Sequence, residues 1–159
     1  MNLGQYNIFV WLDVCWGYHN VCVKEGNEWK AAFNCHMGLF EPLVMYFGLR
    51  NSLAMFQAMM DDIFQVEILQ GWLKVYMDNM LICGIKENMD KLIAWVRCIL
   101  RWLLKNDLFV CADKCDFFVE RVKFLRFIVE GEFAKMDDTK VDGIVKWPPP
   151  EQWHNYGYF

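Results

Sequence analysis

The sequence predicts an α+β domain, an antiparallel sheet with helices packed on one face, and three observations carry that prediction. Short apolar runs bounded by turn residues recur near both ends of the chain. Two segments, one starting at Ser52 and one near Glu87, place apolar residues at three- and four-residue steps. Between them lies Val75-Tyr76-Met77-Asp78-Asn79-Met80-Leu81-Ile82, an acidic tip between two apolar arms. It reads as a hairpin turning on Asp78-Asn79. Strands, helix, hairpin, helix, strands is an α+β order.

Taken from the start, Ile8 to Asp13 reads as a strand that presents Asp13 at its end, and residues 21–24 as a second strand beyond Gly17-Tyr18-His19-Asn20. Lys24-Glu25-Gly26-Asn27-Glu28 is a polar turn, followed by strands at Trp29 to Phe33 and Glu41 to Met45. Ser52 is placed to cap a helix whose inner side carries Phe56, Met59, Met60, Ile63 and Phe64. The helix of about residues 87–105 buries Leu92, Trp95, Val96, Ile99 and Leu103 and wets Lys91, Arg97, Arg101 and Lys105. Leu108 to Ala112 and Val122 to Val129 read as strands, with Gly131 in the following turn. A short helix over Asp137 to Lys146 is stopped by Pro148-Pro149-Pro150, which lack the donors a helix interior needs. Two helices crossing such a sheet suggest a ferredoxin-like or palm arrangement.

Composition narrows the class. A chain of 159 residues can build one domain with a real core, and its 56% hydrophobic content argues against disorder. Eight Trp and ten Met exceed what such a core needs, so some apolar surface is expected to stay uncovered. The formal charge of −4 is unlike a free-standing nucleic-acid binder, unless an acidic centre is there to hold metal. No apolar run reaches the ~18–20 residues needed to cross a bilayer, and the first residues lack the pattern of a signal peptide. Seven cysteines without a CxxC pair argue for reduced thiols in the cytoplasm or nucleus rather than a disulfide framework. Cys111, Cys115 and His154 do not match zinc spacing.

The chemistry rests on Asp13 and Asp78. Carboxylates brought together at adjacent strand ends can hold a pair of divalent cations, the requirement of in-line phosphoryl transfer. An isolated aspartate there is more often a turn or cap residue, so the pair needs further support. His19 and His36 read as ordinary surface histidines and Asp61-Asp62 as a helix-surface pair.

That support is a series of motifs. Leu12-Asp13 with Gly17-Tyr18-His19, Val23 to Lys30 with Ala32-Phe33, and Phe47-Gly48-Leu49 with Asn51, Ala54 and Phe56-Gln57 follow one another in order. Tyr76-Met77-Asp78-Asn79, Lys114-Cys115 with Phe117, Phe124-Leu125, and Lys135-Met136-Asp137 with Lys140-Val141 and Trp147-Pro148 complete the series. In this order and spacing they resemble the reverse transcriptase of gypsy-type LTR retrotransposons over nearly the whole chain. The resemblance implies a polymerase palm over residues 1–135 and the beginning of a thumb over 136–159. It implies RNA-directed DNA polymerase chemistry with two Mg2+ ions, and primer–template and dNTPs as partners.

Residue by residue, the resemblance makes Asp13 and Asp78 the metal-holding carboxylates and Lys114 a general acid near the pyrophosphate. Tyr18 would gate the sugar against a ribose 2′-hydroxyl, with Phe47 and Gly48 lining the nucleotide pocket. Tyr76 and Met77 would lie under the template–primer end, and Phe124 and Leu125 in the primer grip. The chain also departs from the pattern. Asn79 stands where the family carries a second aspartate, and Arg126 replaces the glycine of the grip. Tyr46 and Leu53 replace two prolines, and the upstream fingers are expected to be missing. The expected outcome is an impaired or inactive copy, with a repurposed non-catalytic nucleic-acid or protein-binding module as the alternative.

Overall fold

A computed structural model describes residues 5–125, 127–131 and 133–136. The predicted α+β class is the one observed. Strand β1, Ile8–Cys15, is central, with Ile8, Phe9, Val10, Leu12 and Val14 all buried. A run apolar enough to be covered on both faces can only serve in the middle of a sheet. Strands β4, Leu73–Tyr76, and β5, Asn79–Gly84, form the expected hairpin, and β5 pairs antiparallel with β1. The other edge of β1 is shared by β6, Phe109–Val110, near its end and β7, Asp116–Val119, near its start. The sheet order is therefore β4-β5-β1-β6, with β7 also on β1.

Helix α1, Ser52–Ile63, sends Phe56 and Met60 into the core, and a short α2, Gln65–Leu69, leads to the hairpin. Helix α3, Met89–Lys105, lies against β5 with Leu92, Val96, Ile99 and Leu103 buried. Trp95 stacks parallel on Trp72 at 4.5 Å. Each fully buried side chain of this size contributes about 1.5–3 kcal/mol, so one stripe suffices to fix α3 on the sheet.

Several expected elements differ. Residues 21–24 and 41–45 do face each other, through Val23 N–H to the Leu43 carbonyl and Met45 N–H to that of Val21, yet they form only a bridge at Cys22 and Val44. Trp29 to Phe33 is not a strand. Lys30 and Ala32 bond back to Asn27 and Trp29, closing a 3-10 turn over Glu28–Ala31, and a small hairpin follows, β2, Phe33–Cys35, with β3, Gly38–Phe40. Asn51 rather than Ser52 occupies the N-cap position of α1, without a side-chain capping bond, and the Ser52 hydroxyl donates to the Tyr46 carbonyl at 3.2 Å. Val122 to Val129 folds back on itself as β8, Arg121–Phe124, and β9, Phe127–Glu130, because Leu125 turns the chain at φ 59°. Strand β10, Phe133–Met136, extends this second sheet. The helix expected over Asp137 to Lys146 and the thumb beyond Met136 lie outside the described residues, as does Arg126.

Candidate active site

The β1–β5 ladder sets the geometry. Asp13 pairs directly with Asn79, and Val14 N–H donates to the Asp78 carbonyl at 2.8 Å. Tyr76 pairs with Asn79 across the hairpin, so the two loop residues are Met77 and Asp78 rather than the expected Asp78 and Asn79. The correction matters because a shift of one residue exchanges the faces of a strand. It makes Asn79 the cross-strand neighbour of Asp13, and leaves Asp78 in the loop. Asn79 Nδ2 donates to Asp78 Oδ1 at 2.8 Å.

Met77 holds the loop at φ 54°, a conformation that favours glycine. Gln57 of α1 supports it. The Met77 N–H donates to Gln57 Oε1 at 2.6 Å, and Gln57 Nε2 donates to the Val75 carbonyl and to Asp61. Gln57 lay inside a quoted motif, but nothing in the sequence shows that its amide reaches the hairpin tip.

Asp13, Asp78, Tyr18, Phe47 and Lys114 line one cleft of about 510 Å³. Tyr18 is buried in its wall, 4.5 Å from the Phe47 ring and 4.9 Å from the Phe56 ring, with its hydroxyl donating to Met77 Sδ. Burial first, and then the nearby Asp78 and Tyr76, pushes the Tyr18 phenol above its ordinary 10.0, so it stays neutral. Gly17 lets Phe56 approach. A Cβ there would stand 2.5 Å from the Phe56 ring. Phe47 is 69% exposed over the cleft mouth, and Gly48 turns the chain beside it at φ 103°.

Lys114 reaches Asp13 from the opposite rim, Nζ to Oδ1 at 3.4 Å. Its turn is held by Cys111 N–H donating to the Asp13 carbonyl and Lys114 N–H to that of Cys111. Here the expectation of reduced thiols fails for one pair, since Cys15 and Cys111 form a disulfide. Spacing gave no clue, because 96 residues separate them and only the β1–β6 pairing brings them together. The other five cysteines are free.

Asp13 and Asp78 offer hard carboxylate oxygens, the donor chemistry that suits Mg2+, which is commonly held by one or two carboxylates plus substrate phosphates. Among the described residues no group of three or more His, Cys, Asp or Glu is arranged to hold an ion. Not every expected site residue joins the cleft. Tyr76 and Met77 sit at the hairpin tip beside it. Phe124 is buried in the core at the end of β8, and Leu125 occupies the turn of that separate hairpin. No helix among the described residues is long and apolar enough to cross a membrane.

Residues 1–129 match the family described as reverse transcriptase (RNA-dependent DNA polymerase). The chain is 33% identical over 151 residues to the retrovirus-related Pol polyprotein from transposon gypsy of Drosophila melanogaster, covering 94% of this chain and 14% of that protein. It is 36% identical over 149 residues to the corresponding polyprotein from transposon opus of the same species, covering 94% and 15%. To the transposon Tf2-7 polyprotein of Schizosaccharomyces pombe it is 31% identical over 144 residues, covering 91% and 11%. The chain thus spans about a seventh of the length of the gypsy and opus polyproteins. Its fold is that of the foamy viral protease-reverse transcriptase in complex with RNA/DNA hybrid, with a TM-score of 0.79 at 19% identity over 94% of this chain and 20% of that one. The same protein in its dRH form, in complex with double-stranded DNA, gives a TM-score of 0.80 at 19% identity over 94% and 25%. An acidic pair in a palm-like sheet and these relatives lead to one conclusion: this chain belongs to the reverse transcriptase (RNA-dependent DNA polymerase) family.

Proposed function

We propose that this chain is the palm segment of a retrotransposon RNA-directed DNA polymerase, and that its copy of the catalytic centre is weakened at Asn79. The observation that carries the reading is the convergence of Asp13, Asp78, Tyr18, Phe47 and Lys114 on one cleft. Residues 1–135 are the palm in this reading and 136–159 begin the thumb. Foamy viral reverse transcriptases of this fold are known in complex with RNA/DNA hybrid and with double-stranded DNA, which supports primer–template as the macromolecular partner. In this reading dNTPs are the substrates.

When bound, two Mg2+ ions would supply charge neutralisation for in-line displacement at the α-phosphate. Asp13 and Asp78 hold them. The primer 3′-hydroxyl attacks the α-phosphorus and loses its proton to solvent water, the bond to the pyrophosphate oxygen breaks, and Lys114 donates a proton to that leaving oxygen. Tyr18, backed by Phe56, presents its ring beneath the sugar, where a 2′-hydroxyl would clash. Phe47 and Gly48 close the nucleotide pocket, Tyr76, Met77 and Leu125 belong to the primer–template side, and Phe124, beside Leu125, packs in the core.

Asn79 is the defect. It puts a neutral amide beside Asp13 where a further anion would attract the ions, and its amide already occupies Asp78 Oδ1. At 4 Å and an effective dielectric of 20, one unit-charge pair is worth about 4 kcal/mol. Primer extension with Mg2+ and dNTPs tests the reading. Slow, divalent-dependent addition that Asp13→Asn abolishes is expected; addition indifferent to Asp13→Asn would refute it, and fast addition would refute the impairment.

A further inference from the structure

We propose that Cys15 and Cys111 are a thiol–disulfide exchange site that sets how firmly Lys114 is held against Asp13. Both sulfurs belong to residues that line the cleft, and both residues are half-buried, so a small reductant can reach them. The disulfide ties the end of β1, two residues past Asp13, to the turn that carries Lys114. Backbone bonds tie the same turn to β1 as well, through Cys111 N–H to the Asp13 carbonyl and through Asp116 opposite Trp11, but the side of the tie that carries Cys111 is short. Strand β6 is two residues long, its pairing with β1 ends at Cys15 and Phe109, and Phe109 is mostly exposed. The Lys114 side chain is itself 63% exposed, so its place beside Asp13 follows from where its turn is anchored.

The exchange balances with a low-molecular-weight dithiol as the co-reactant. One of its thiolates attacks a disulfide sulfur, the S–S bond breaks, and its second thiol resolves the mixed disulfide. Two electrons and two protons pass to the protein, leaving two cysteine thiols and a cyclic disulfide of the reductant. Cys115 is poorly placed to substitute for that reductant, because its thiol donates to the Cys111 carbonyl and burial keeps it protonated.

The consequence follows from charge. With the disulfide closed, the Lys114 ammonium competes with a divalent cation for Asp13 Oδ1. With it open, the turn is held by its backbone bonds alone, the Lys114 ammonium is held less firmly, and the carboxylate is more available to the cation. This consequence rests on the reading of Asp13 as an ion ligand, whereas the exchange chemistry does not.

The experiment uses the full chain in two states, untreated and dithiothreitol-treated. Alkylation under denaturing conditions counts thiols: five labelled before reduction and seven after are expected from the one disulfide and five free cysteines. Hydrogen exchange then reads the turn, where the Cys111 and Lys114 amides should exchange about tenfold faster after reduction, as in a local opening. Cys15→Ser and Cys111→Ser should each show the fast rate without reductant. Seven labelled thiols in the untreated chain, or identical exchange in both states, would overturn the proposal. Mn2+ binding measured on the same samples separates the two readings. Tighter binding after reduction is expected, and binding equal in both states overturns the competition at Asp13. No Mn2+ binding in either state, with the exchange difference intact, would instead count against the metal-site reading.

Discussion

At the scale of single residues, Gln57 and Asn79 act on the hairpin tip that carries Asp78, and Cys83 acts in the core of β5. Gln57 accepts the Met77 N–H at a loop residue whose φ is positive, so its amide offsets a conformation that costs about 1–3 kcal/mol. Gln57→Ala should lower unfolding stability by about 1–3 kcal/mol, and chemical denaturation would measure it. Asn79 ties Asp78 through its side-chain amide, and Lys114 is the cation paired with Asp13. Cys83 is fully buried in β5, and burial pushes its thiol from 9.0 to about 12. A folded-state value above the unfolded one means stability is intact below pH 9 and lost progressively as pH rises from 9 toward 12. Thermal unfolding followed from pH 7 to 11 should show that decline, and Cys83→Ala should flatten it.

At the scale of elements, the β4–β5 hairpin and α1 act together. Phe56 of α1 fills the space that Gly17 leaves open and backs Tyr18 in the cleft wall. Gly17→Ala would force a methyl into a fully buried ring, with an expected loss of about 1–3 kcal/mol. A displaced Phe56 should also disturb Tyr18, visible as a changed Tyr fluorescence or near-ultraviolet dichroism. These elements were largely legible in the sequence. The stripe of α3 and the apolar run of β1 announce their own partners, because a three- or four-residue step and an unbroken apolar run each permit one kind of burial. What was not legible depended on tertiary pairing. The hairpin turn lay one residue earlier than Asp78-Asn79 chemistry indicated, since register with β1 outweighed turn preference. Residues 21–24 and 41–45 have strand-like composition but too little neighbouring backbone to make more than a bridge. The Cys15–Cys111 pair was invisible because its partners meet only through β6.

At the scale of the whole molecule, a chain with a formal charge of −4 keeps a large exposed apolar surface around its sheet. The expected surplus of apolar surface is present: Trp16, Met37, Leu39, Leu43, Phe47 and Leu69 are all strongly exposed. Family membership was readable because seven motifs fell in order along the chain, and the fold brings seven of the residues they supplied to one cleft. Phe124 and Leu125 fell in a second sheet, whose hairpin forms from residues that read as one continuous strand. Motif order therefore identified the lineage better than it identified each contact.

The central claim is that Asp13 and Asp78 form a divalent-cation site that Asn79 weakens. Mn2+ binding to the reduced chain, compared among wild type, Asp13→Asn and Asn79→Asp, tests it most directly. Weak binding is expected in wild type, loss of binding in Asp13→Asn, and binding tightened by about tenfold or more in Asn79→Asp, where a third carboxylate would stand beside Asp13. Undiminished binding in Asp13→Asn, or no gain in Asn79→Asp, would contradict it.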